Sequence, residues 1–290
     1  MSLWDSVAEH ISAKSGRPFS IQSRAEVGGG CINTAYVLSG DGERFFVKVN
    51  SAGKAEMFAA ELAGLEELRR SNTVKVPEPL CSGTADGRAY LVMEYLPLGR
   101  GGSNRAIEEY GHRLAAMHAI TSPRYGWHRD NTIGSTPQPN GECDDWQEFW
   151  IERRLGYQLE LAGRRGHGPL SGLGDRLLER LPDLLAGHRP AASLLHGDLW
   201  SGNHAFMADG TAVIFDPAVY YGDRETDLAM TELFGRMPER FYRAYEEAQP
   251  LPPGYEVRKI LYNLYHILNH LNLFGAGYLG QAEDMIETLL

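Results

Sequence analysis

The stretch Leu194-Leu-His-Gly-Asp-Leu-Trp-Ser-Gly-Asn203 decides which fold this sequence predicts. It contains the spacing H-x-D-x-x-x-x-N, in which Asp198 stands five residues before Asn203. In phosphoryl transfer, an aspartate at this place orients the attacking hydroxyl and accepts its proton, and the side-chain oxygen of the asparagine binds Mg²⁺. We therefore predict that Asp198 is a catalytic base and that Asn203 is a magnesium ligand in a kinase-type fold.

Thirteen residues further on, the apolar run Ala212-Val-Ile-Phe-Asp216 predicts a strand that ends in a carboxylate. A second magnesium ligand belongs at this place in a kinase, so Asp216 is predicted to bind the metal. A single aspartate or asparagine more often satisfies the backbone of a turn. The prediction therefore depends on several such residues occurring in one order along the chain.

The segment Val27-Gly-Gly-Gly-Cys-Ile-Asn33 lies upstream, between two predicted strands. Three glycines allow a hairpin backbone to approach an anion closely and to point its amides at phosphate oxygens. We expect Gly28, Gly29 and Gly30 to contact a nucleotide, although such clusters are more often flexible turns. The segment has neither the GK[ST] of a Walker A loop nor a good GxGxxG that opens a helix.

Lys48 and Glu61 follow this segment as a candidate ion pair. Lys48 lies in the middle of a predicted strand, and an ammonium held there over nucleotide phosphates needs a carboxylate to orient it. Glu61 lies four residues after Met57 and four before Leu65, so it shares the apolar face of a predicted helix. An unpaired buried charge is costly. We therefore expect Glu61 to pair with Lys48 and both residues to position a nucleotide.

Hydrophobic patterning divides the chain into a strand-rich part and a helical part. The first ninety-odd residues predict strands with one helix, and the rest predicts mainly helices. The predicted strands are 35–38, 44–49 and 89–96, and the predicted helices are 55–70 and those near 105–120, 144–162, 173–186, 226–246 and 255–274. We expect an α+β, two-lobed protein-kinase-like fold with a small antiparallel-sheet nucleotide-binding N-lobe (1–96) and a mainly helical catalytic and substrate-binding C-lobe (97–290), which begins with a linker.

Composition and charge restrict the function classes. The 290 residues carry 28 Lys and Arg against 38 Asp and Glu, a formal net charge of −10. This balance argues against a nucleic acid or an anionic membrane surface as the main partner. Polar residues interrupt the apolar stretches, which predicts no membrane span. The three cysteines form no CxxC pair and the N-terminus lacks the features of a secretory signal, so we expect the cytoplasm.

Two features narrow the type of kinase. Gly197 stands where a protein kinase has the arginine that senses a phosphorylated activation loop, and Pro217 follows Asp216 in place of glycine. Only ten residues separate Asp216 from Asp227, which leaves too little chain for an activation segment that docks a peptide. These features favour a small-molecule kinase.

The chain resembles the fructosamine kinase (ketosamine kinase) family, a branch of the aminoglycoside-phosphotransferase-like kinases, over nearly its whole length. The resemblance is carried by Gly-Gly-Gly-Cys-Ile-Asn33, Phe-Val-Lys-Val-Asn50, His-Gly-Asp-Leu-Trp-Ser-Gly-Asn203 and Phe-Asp-Pro-Ala218. The Pro-, Asn- and Gly-rich segment 130–140 is also similar to this family, which implies that it forms a wall of the substrate pocket. Ser201 stands where the family often has glycine, a departure that touches none of the predicted roles.

The resemblance implies ATP-dependent phosphorylation of the 3-hydroxyl of a ketose joined to an amine, such as fructosamine or ribulosamine, in deglycation. The substrates implied are small ketosamines or glycated protein amines, and we expect a monomer or weak dimer. The implied site residues are Asp198 as base, Asn203 and Asp216 for Mg²⁺, Lys48 with Glu61 for ATP, Glu94, Tyr95 and Leu96 as the hinge that meets adenine, and Trp200 as a stacking residue for substrate.

Two other functions stay open. One is a kinase for another small hydroxyl compound, such as an aminoglycoside, choline or homoserine. The other is a nucleotide-binding pseudokinase that serves as a sensor or scaffold. Trp200 and the segment 130–140 argue against the first, and the complete set of catalytic positions argues against the second.

Several further residues have local interpretations. We hypothesise that oxidation of Cys31 blocks ATP binding, because a thiol among backbone amides has a lowered pKa. His266 and His270 have a spacing compatible with zinc, but the neighbouring leucines favour core packing. His196 is expected to secure the catalytic loop by hydrogen bonds, and Asp227 either caps its helix or braces that loop.

Overall fold

The computed structural model describes residues 2–28, 32–99 and 101–290. The predictions for Gly29, Gly30 and Cys31 therefore lie outside the described residues.

The chain divides into two compact units. The first contains residues 1–103 and 205–216, and the second contains residues 104–204 and 217–290. The first unit thus includes a segment that lies far from its other residues in the sequence. The division predicted from the sequence, at residue 96, assigns residues 205–216 to the C-lobe and not to the first unit.

Strands and helices occur in both units. The strands are β1 (Ser23–Val27), β2 (Thr34–Gly40), β3 (Glu43–Ser51), β4 (Pro79–Ala85), β5 (Arg88–Glu94), β6 (Thr121–Ser122), β7 (Asn131–Ile133), β8 (Thr136–Gln138), β9 (Ala192–Leu195), β10 (His204–Phe206), β11 (Ala212–Ile214) and β12 (Tyr220–Gly222). The helices are α1 (Leu3–Ser15), α2 (Ala55–Arg70), α3 (Asn104–His118), α4 (Trp146–Trp150), α5 (Gly156–Arg164), α6 (Gly168–Leu184), α7 (Glu225–Leu233), α8 (Glu239–Ala248), α9 (Tyr255–Phe274) and α10 (Leu279–Leu289). Single turns of other helix types lie at Ala52–Lys54, Ile151–Leu155 and Ala276–Tyr278.

A five-stranded antiparallel sheet of order β1-β2-β3-β5-β4 forms the base of the first unit. The β2–β3 hairpin turns at Asp41 and Gly42, whose φ angles of 51° and 79° are those of a tight hairpin turn. The strand β3 lies at the centre of the sheet, so a side chain on it is flanked by neighbouring strands on both sides. The hairpin and its strands agree with the sequence prediction.

Two helices, α1 and α2, belong to the first unit. The bounds of α2 agree with the prediction for 55–70, whereas α1 was not predicted, and the expectation of a single helix in this part of the chain is wrong. Helix α1 buries Leu3, Val7 and Ile11, which lie one turn apart, and begins with a capping box formed by Ser2 and Asp5. The capping box and the apolar stripe are both present in the sequence. The stripe is a weak signal because only three residues of the helix are buried.

The β10–β11 hairpin completes the first unit. The Gly99 N–H donates to the Phe206 carbonyl over 2.7 Å, and the Ile214 N–H donates to the Lys75 carbonyl over 3.0 Å. These bonds attach the end of β11, and with it Asp216, to residues near the N-terminal sheet.

The second unit is mainly helical. Helix α9 contacts α5, α7 and α10, and helix α3 packs against α8. A small sheet of order β12-β9-β6 leads from β9 directly into residues 196–203. The β7–β8 hairpin, which pairs Asn131 with Gln138, lies within the segment 130–140.

The helix predictions for the second unit hold for α3 and α9 and fail in two places. The single helix predicted over 226–246 is wrong, because α7 and α8 are separated by residues 234–238. In that break Gly235 has a φ of 113°, and Pro238 is extended immediately before α8. Helix α10 was not predicted.

The architecture is α+β, with the antiparallel sheet in the N-terminal part and helices dominating the rest. Across residues 2–28, 32–99 and 101–290, no helix is both long enough and apolar enough to cross a bilayer.

Candidate active site

Lys48 lies at the centre of a charged cluster in the first unit. Its neighbours Val47 and Val49 on β3 belong to the buried apolar core, so the alternation of a strand turns Lys48 to the other face. There its Nζ lies 2.5 Å from Glu61 Oε1, on α2, and 2.6 Å from Asp216 Oδ1. The predicted pairing of Lys48 with Glu61 is thus confirmed, and Asp216, 168 residues from Lys48 in the sequence, contacts the same ammonium.

The charges of this cluster depend on one another. Burial alone would lower the pKa of Lys48, but the carboxylates of Asp216 and Glu61 outweigh it and hold that pKa above its ordinary value. The Lys48 ammonium is therefore charged at neutral pH. The side chains of Lys48 and Glu61 are only 7% and 11% exposed, whereas that of Asp216 is 46% exposed. Of the two acidic partners, Asp216 is the one that a ligand can reach.

The conformation of Asp216 is unusual. Its φ is 58°, in the left-handed region that residues other than glycine rarely adopt, although aspartate tolerates it better than most. Carboxylate and amide oxygens are the protein ligands that Mg²⁺ prefers. The half-exposed carboxylate of Asp216 fits that chemistry.

The predicted hinge lies at the end of β5. The Glu94 carboxylate accepts hydrogen bonds from Lys75 Nζ over 2.7 Å and from the Glu78 N–H over 3.1 Å. The Glu94 N–H donates to the Glu78 carbonyl over 2.8 Å, so this backbone donor is engaged within the protein. The neighbouring Tyr95 ring lies 4.2 Å beneath the Arg44 guanidinium. Leu96 follows as a partly buried residue.

Gly28 is the part of the glycine-rich segment that the structure describes. A Cβ built on Gly28 would meet no atom within 4 Å, and its φ is not positive, so its own conformation does not require glycine. On the far side of the segment, Asn50 Nδ2 donates to the Ile32 carbonyl over 3.0 Å and to Asn33 Oδ1 over 2.8 Å. Asn50, two residues after Lys48, therefore ties the segment to β3. Sequence reasoning did not assign it this function.

The loop 196–203 in the second unit holds Asp198 and Asn203 together. Asn203 Nδ2 donates to the Asp198 carbonyl over 2.8 Å and to Asp198 Oδ2 over 3.1 Å. These bonds use the amide nitrogen of Asn203 and direct its Oδ1 elsewhere, as a metal ligand would require. The Asp198 N–H donates to His196 Nδ1 over 3.2 Å, which confirms the expectation that His196 secures this loop.

Asp227 braces the same loop from α7. Its carboxylate accepts hydrogen bonds from the backbone N–H groups of His196 and Gly197 over 2.7 Å and 2.8 Å. His118 Nε2 lies 3.2 Å from the same carboxylate. Burial alone would raise the pKa of Asp227, but these hydrogen bonds and the nearby histidines lower it below its ordinary value. Of the two alternatives for Asp227, the structure supports the brace.

Gly197 is required by the geometry of this loop. Its φ is 83°, and a Cβ built on it would lie 2.1 Å from the Ala218 carbonyl oxygen. The residue that distinguishes this loop from that of protein kinases therefore permits close backbone contact with the segment that follows Asp216.

His266 on α9 lies beside Asp198. Its Nδ1 is 3.9 Å from Asp198 Oδ1, which exceeds hydrogen-bonding distance, and no hydrogen-bond partner for this atom occurs in the described part of the chain. Burial lowers the pKa of His266 to about 3, so the imidazole is neutral and the two groups are not an ion pair. His266 is 3% exposed, which agrees with the expectation of core packing.

Trp200 lies in this loop and begins an aromatic surface. The residue is 37% exposed, and its indole meets Phe234 edge-on at 6.1 Å between ring centroids. Phe234 in turn lies 4.7 Å from the His270 ring, which lies 5.4 Å from Phe274. A Cβ on Gly202 would lie 2.3 Å from the Trp200 ring, so glycine is needed there to admit the indole. The surface offers ring faces to a ligand beside Asp198.

Relatives of known sequence identify the family. A family model described as fructosamine kinase matches residues 3–290. The chain belongs to the fructosamine kinase family. A probable ketoamine kinase of Synechocystis sp. is 50% identical over 289 residues, which are 99% of this chain and 97% of that protein. The chloroplastic protein-ribulosamine 3-kinase of Arabidopsis thaliana is 42% identical over 290 residues, which are 99% of this chain and 88% of that protein.

Solved structures agree with membership of the fructosamine kinase family. The provisionally named fructosamine-3-kinase of Haemophilus somnus superposes with a TM-score of 0.91 at 29% identity, covering 99% of this chain and 97% of that one. A thermostable mutant of an aminoglycoside phosphotransferase has a TM-score of 0.63 at 18% identity, covering 97% and 98%, a likeness that shows the fold alone. The predicted resemblance, the kinase-like α+β fold and the phosphotransferase class are confirmed.

Proposed function

We propose that this protein transfers the γ-phosphoryl group of ATP to the 3-hydroxyl of a ketosamine, such as fructosamine or ribulosamine, and so acts in deglycation. The proposal depends on one observation: the carboxylate of Asp198 is held by a hydrogen bond and is still partly exposed. Asn203 fixes it from one side, and Asp227 fixes the backbone of its loop. Its side chain is 19% exposed, so a hydroxyl can reach it.

Asp198 is the base of this reaction. The substrate hydroxyl donates its proton to the Asp198 carboxylate while its oxygen bonds to the γ-phosphorus and the bond from that phosphorus to ADP breaks. Most of the rate enhancement comes from positioning, because the reaction needs little further proton transfer. The hydrogen bond from Asn203 Nδ2 to Asp198 Oδ2 supplies part of that positioning by limiting how the carboxylate rotates.

The first unit binds the nucleotide in this proposal. Lys48, oriented by Glu61, contacts the phosphates, and the amide of Gly28 approaches them. Glu94, Tyr95 and Leu96 meet adenine. Asn203 Oδ1 and the Asp216 carboxylate would hold Mg²⁺, which supplies neutralisation of phosphate charge when it is bound.

The aromatic surface at Trp200 selects the sugar. Stacking of Trp200 on a sugar ring would place a hydroxyl at Asp198, two residues away in the same loop. The Arabidopsis relative is named for the 3-position of ribulosamine, which supports the choice of hydroxyl. The segment 130–140 is proposed as a further wall of the substrate pocket.

We also place the enzyme in the cytoplasm as a monomer or weak dimer. Cys81 and Cys143 are buried free thiols, a pattern typical of a reducing compartment. Burial raises the pKa of the Cys81 thiol to about 12, which makes it a poor nucleophile.

An ATP-consumption assay on a panel of acceptors tests the function. The panel contains two ketosamines, the fructosamine and ribulosamine adducts of lysine, and two other acceptors, kanamycin and choline. The position of the phosphorylated hydroxyl is assigned by NMR. We expect turnover of ketosamines at the 3-hydroxyl, and an Asp198→Asn variant whose kcat is lower by about 10²–10⁴-fold with little change in KM for ATP. Asp284→Asn, the same substitution at an exposed position of α10, is the matched control and keeps wild-type kcat.

Other outcomes of this assay contradict the proposal. Turnover of kanamycin or choline without any ketosamine would replace the substrate class. Nucleotide binding without turnover of any acceptor would favour the pseudokinase.

A further inference from the structure

The β7–β8 hairpin contacts the backbone that follows Asp216. Gln138 Nε2 donates to the Ala218 carbonyl over 3.0 Å, and Asn131 Nδ2 donates to the Val219 carbonyl over 2.8 Å. The side chains of Asn131 and Gln138 are buried, with residue exposures of 8% and 1%. Two consecutive carbonyls are therefore held by two buried amides of one hairpin.

The orientation of these amides is fixed by their other hydrogen bonds. Asn131 Oδ1 accepts from Gln138 Nε2 and from Asn140 Nδ2, both over 2.8 Å. Gln138 Oε1 accepts from the Tyr265 hydroxyl over 2.7 Å, and Asn140 Oδ1 accepts from the Arg154 guanidinium over 2.7 Å. Rotating either donating amide by half a turn would place oxygen against oxygen. The donors are thus held toward the two carbonyls before any ligand binds.

The catalytic loop holds the same backbone from another direction. The Ala218 N–H donates to the His196 carbonyl over 2.8 Å, and Gly197 approaches the Ala218 carbonyl so closely that a Cβ cannot fit. Residues 218 and 219 are therefore fixed by three hydrogen bonds that come from two separate segments.

Asp216 lies two residues before this fixed backbone, and its φ of 58° is sparsely populated. Such a conformation persists when the surrounding structure determines it, and it commonly marks a functional site. We propose that Asn131 and Gln138 form a permanent brace that keeps the backbone of Asp216 in the conformation from which its carboxylate can bind a metal. The brace orders this segment through hydrogen bonds from the chain itself. The inference rests on the proposed function for the metal-binding role of Asp216.

Asn131→Asp is the sharpest test, because it keeps both acceptor contacts of the side chain and removes the single donor to the Val219 carbonyl. Asn272→Asp is the matched control. Asn272 is buried at 1% in the same unit, and its amide donates to Gln158 and not to residues 218–219. Both variants are measured by hydrogen exchange of peptides covering 215–222 and by calorimetric titration of a non-hydrolysable ATP analogue at several Mg²⁺ concentrations.

For Asn131→Asp we expect about tenfold faster exchange in 215–222 and about tenfold more Mg²⁺ for half-maximal analogue binding, the effect of losing one buried hydrogen bond. Binding of the analogue without Mg²⁺ stays at the wild-type level. For Asn272→Asp both quantities stay within twofold of wild type. Gln138→Met, which is uncharged and removes the donor to Ala218, is the second variant and gives the same result as Asn131→Asp.

The brace is overturned if Asn131→Asp and Gln138→Met both behave as Asn272→Asp does. It is also overturned if both fail to fold while Asn272→Asp folds, because the network would then serve the stability of the whole unit. Wild-type protein that shows no Mg²⁺-dependent analogue binding contradicts the proposed function, while the exchange measurement still tests the brace.

Discussion

The charged cluster of the first unit and the loop 196–203 of the second are held in place in different ways. In the first unit, one ammonium, Lys48, lies between Glu61 and Asp216, and the cluster is held by opposite charges. In the second unit, Asp227 is held by two backbone N–H groups and by His118. Charge pairs can exchange one partner for another when a ligand arrives, whereas backbone hydrogen bonds fix a loop in one place.

This difference fits the two tasks that we propose. A nucleotide-binding cluster must release a carboxylate to a metal, and the half-exposed Asp216 can leave Lys48 while the buried Glu61 remains. A base must keep its position throughout the reaction, and the loop that carries Asp198 is bonded at both its start and its end. The following variants either break this contrast or make it sharper.

Lys48→Met is expected to have the largest effect. It leaves the Glu61 carboxylate buried without a cation, so the free energy of unfolding falls by about 3–5 kcal/mol. Removing the charge that contacts phosphate also lowers kcat/KM by about 10²–10³-fold. Urea unfolding and steady-state kinetics measure the two effects. Lys48→Met combined with Glu61→Gln recovers most of the stability and none of the activity. If the double variant is as unstable as the single one, the cluster is not held by charge.

Asp227→Asn comes next. An asparagine offers one acceptor oxygen and turns an N–H₂ group toward one of the two loop N–H donors, so at least one hydrogen bond is lost. We expect the free energy of unfolding to fall by about 1–3 kcal/mol. We expect kcat to fall about 10²-fold through misplacement of Asp198, with KM for ATP unchanged. Asp223→Asn is the control, since Asp223 is equally buried in the same unit and accepts from His188 and Tyr262. A variant with lower stability but wild-type kcat would show that the hydrogen bonds accepted by Asp227 have no catalytic effect.

The smallest effect concerns His266 and pH. The folded protein keeps His266 neutral, with its pKa lowered to about 3 from an ordinary 6.5, whereas the unfolded chain takes up a proton near pH 6.5. The stabilisation is therefore present above pH 6.5 and is lost as the pH falls below it. Between pH 7.5 and 5.5 we expect wild type to lose about 1.4 kcal/mol more unfolding free energy than His266→Gln does, measured by urea titration. Equal losses in the two proteins would mean that His266 is protonated in the folded state.

The sequence was sufficient for the parts of the site that depend on spacing. Asp198 and Asn203 lie in one short loop, so their order alone placed them together. The pairing of Lys48 with Glu61 followed from helical periodicity, because a carboxylate on an apolar face needs a cationic partner. The central strands and helices α2 and α9 were predicted for a related reason, since each has a strong hydrophobic pattern.

The remainder depends on contacts between distant segments. Nothing near Asn131 or Gln138 in the sequence indicates that their amides bond to Ala218 and Val219. The partners of His118 were missed for the same reason, because Asp227 and Tyr245 lie more than a hundred residues away. Helix α1 was missed because its apolar stripe is short.

The chain passes between its two units at three places, since residues 205–216 belong with 1–103. On the ribosome, the N-terminal sheet emerges long before the β10–β11 hairpin that completes its unit. Until residue 216 has been made, the Lys75 and Gly99 backbone groups lack their partners, and Lys48 has only Glu61. The first unit is therefore complete only after residue 216 has been made, although residues 1–103 are made first. A fragment ending at residue 103 lacks these partners and is expected to remain partly unfolded, whereas a fragment ending at residue 216 contains every residue of the first unit.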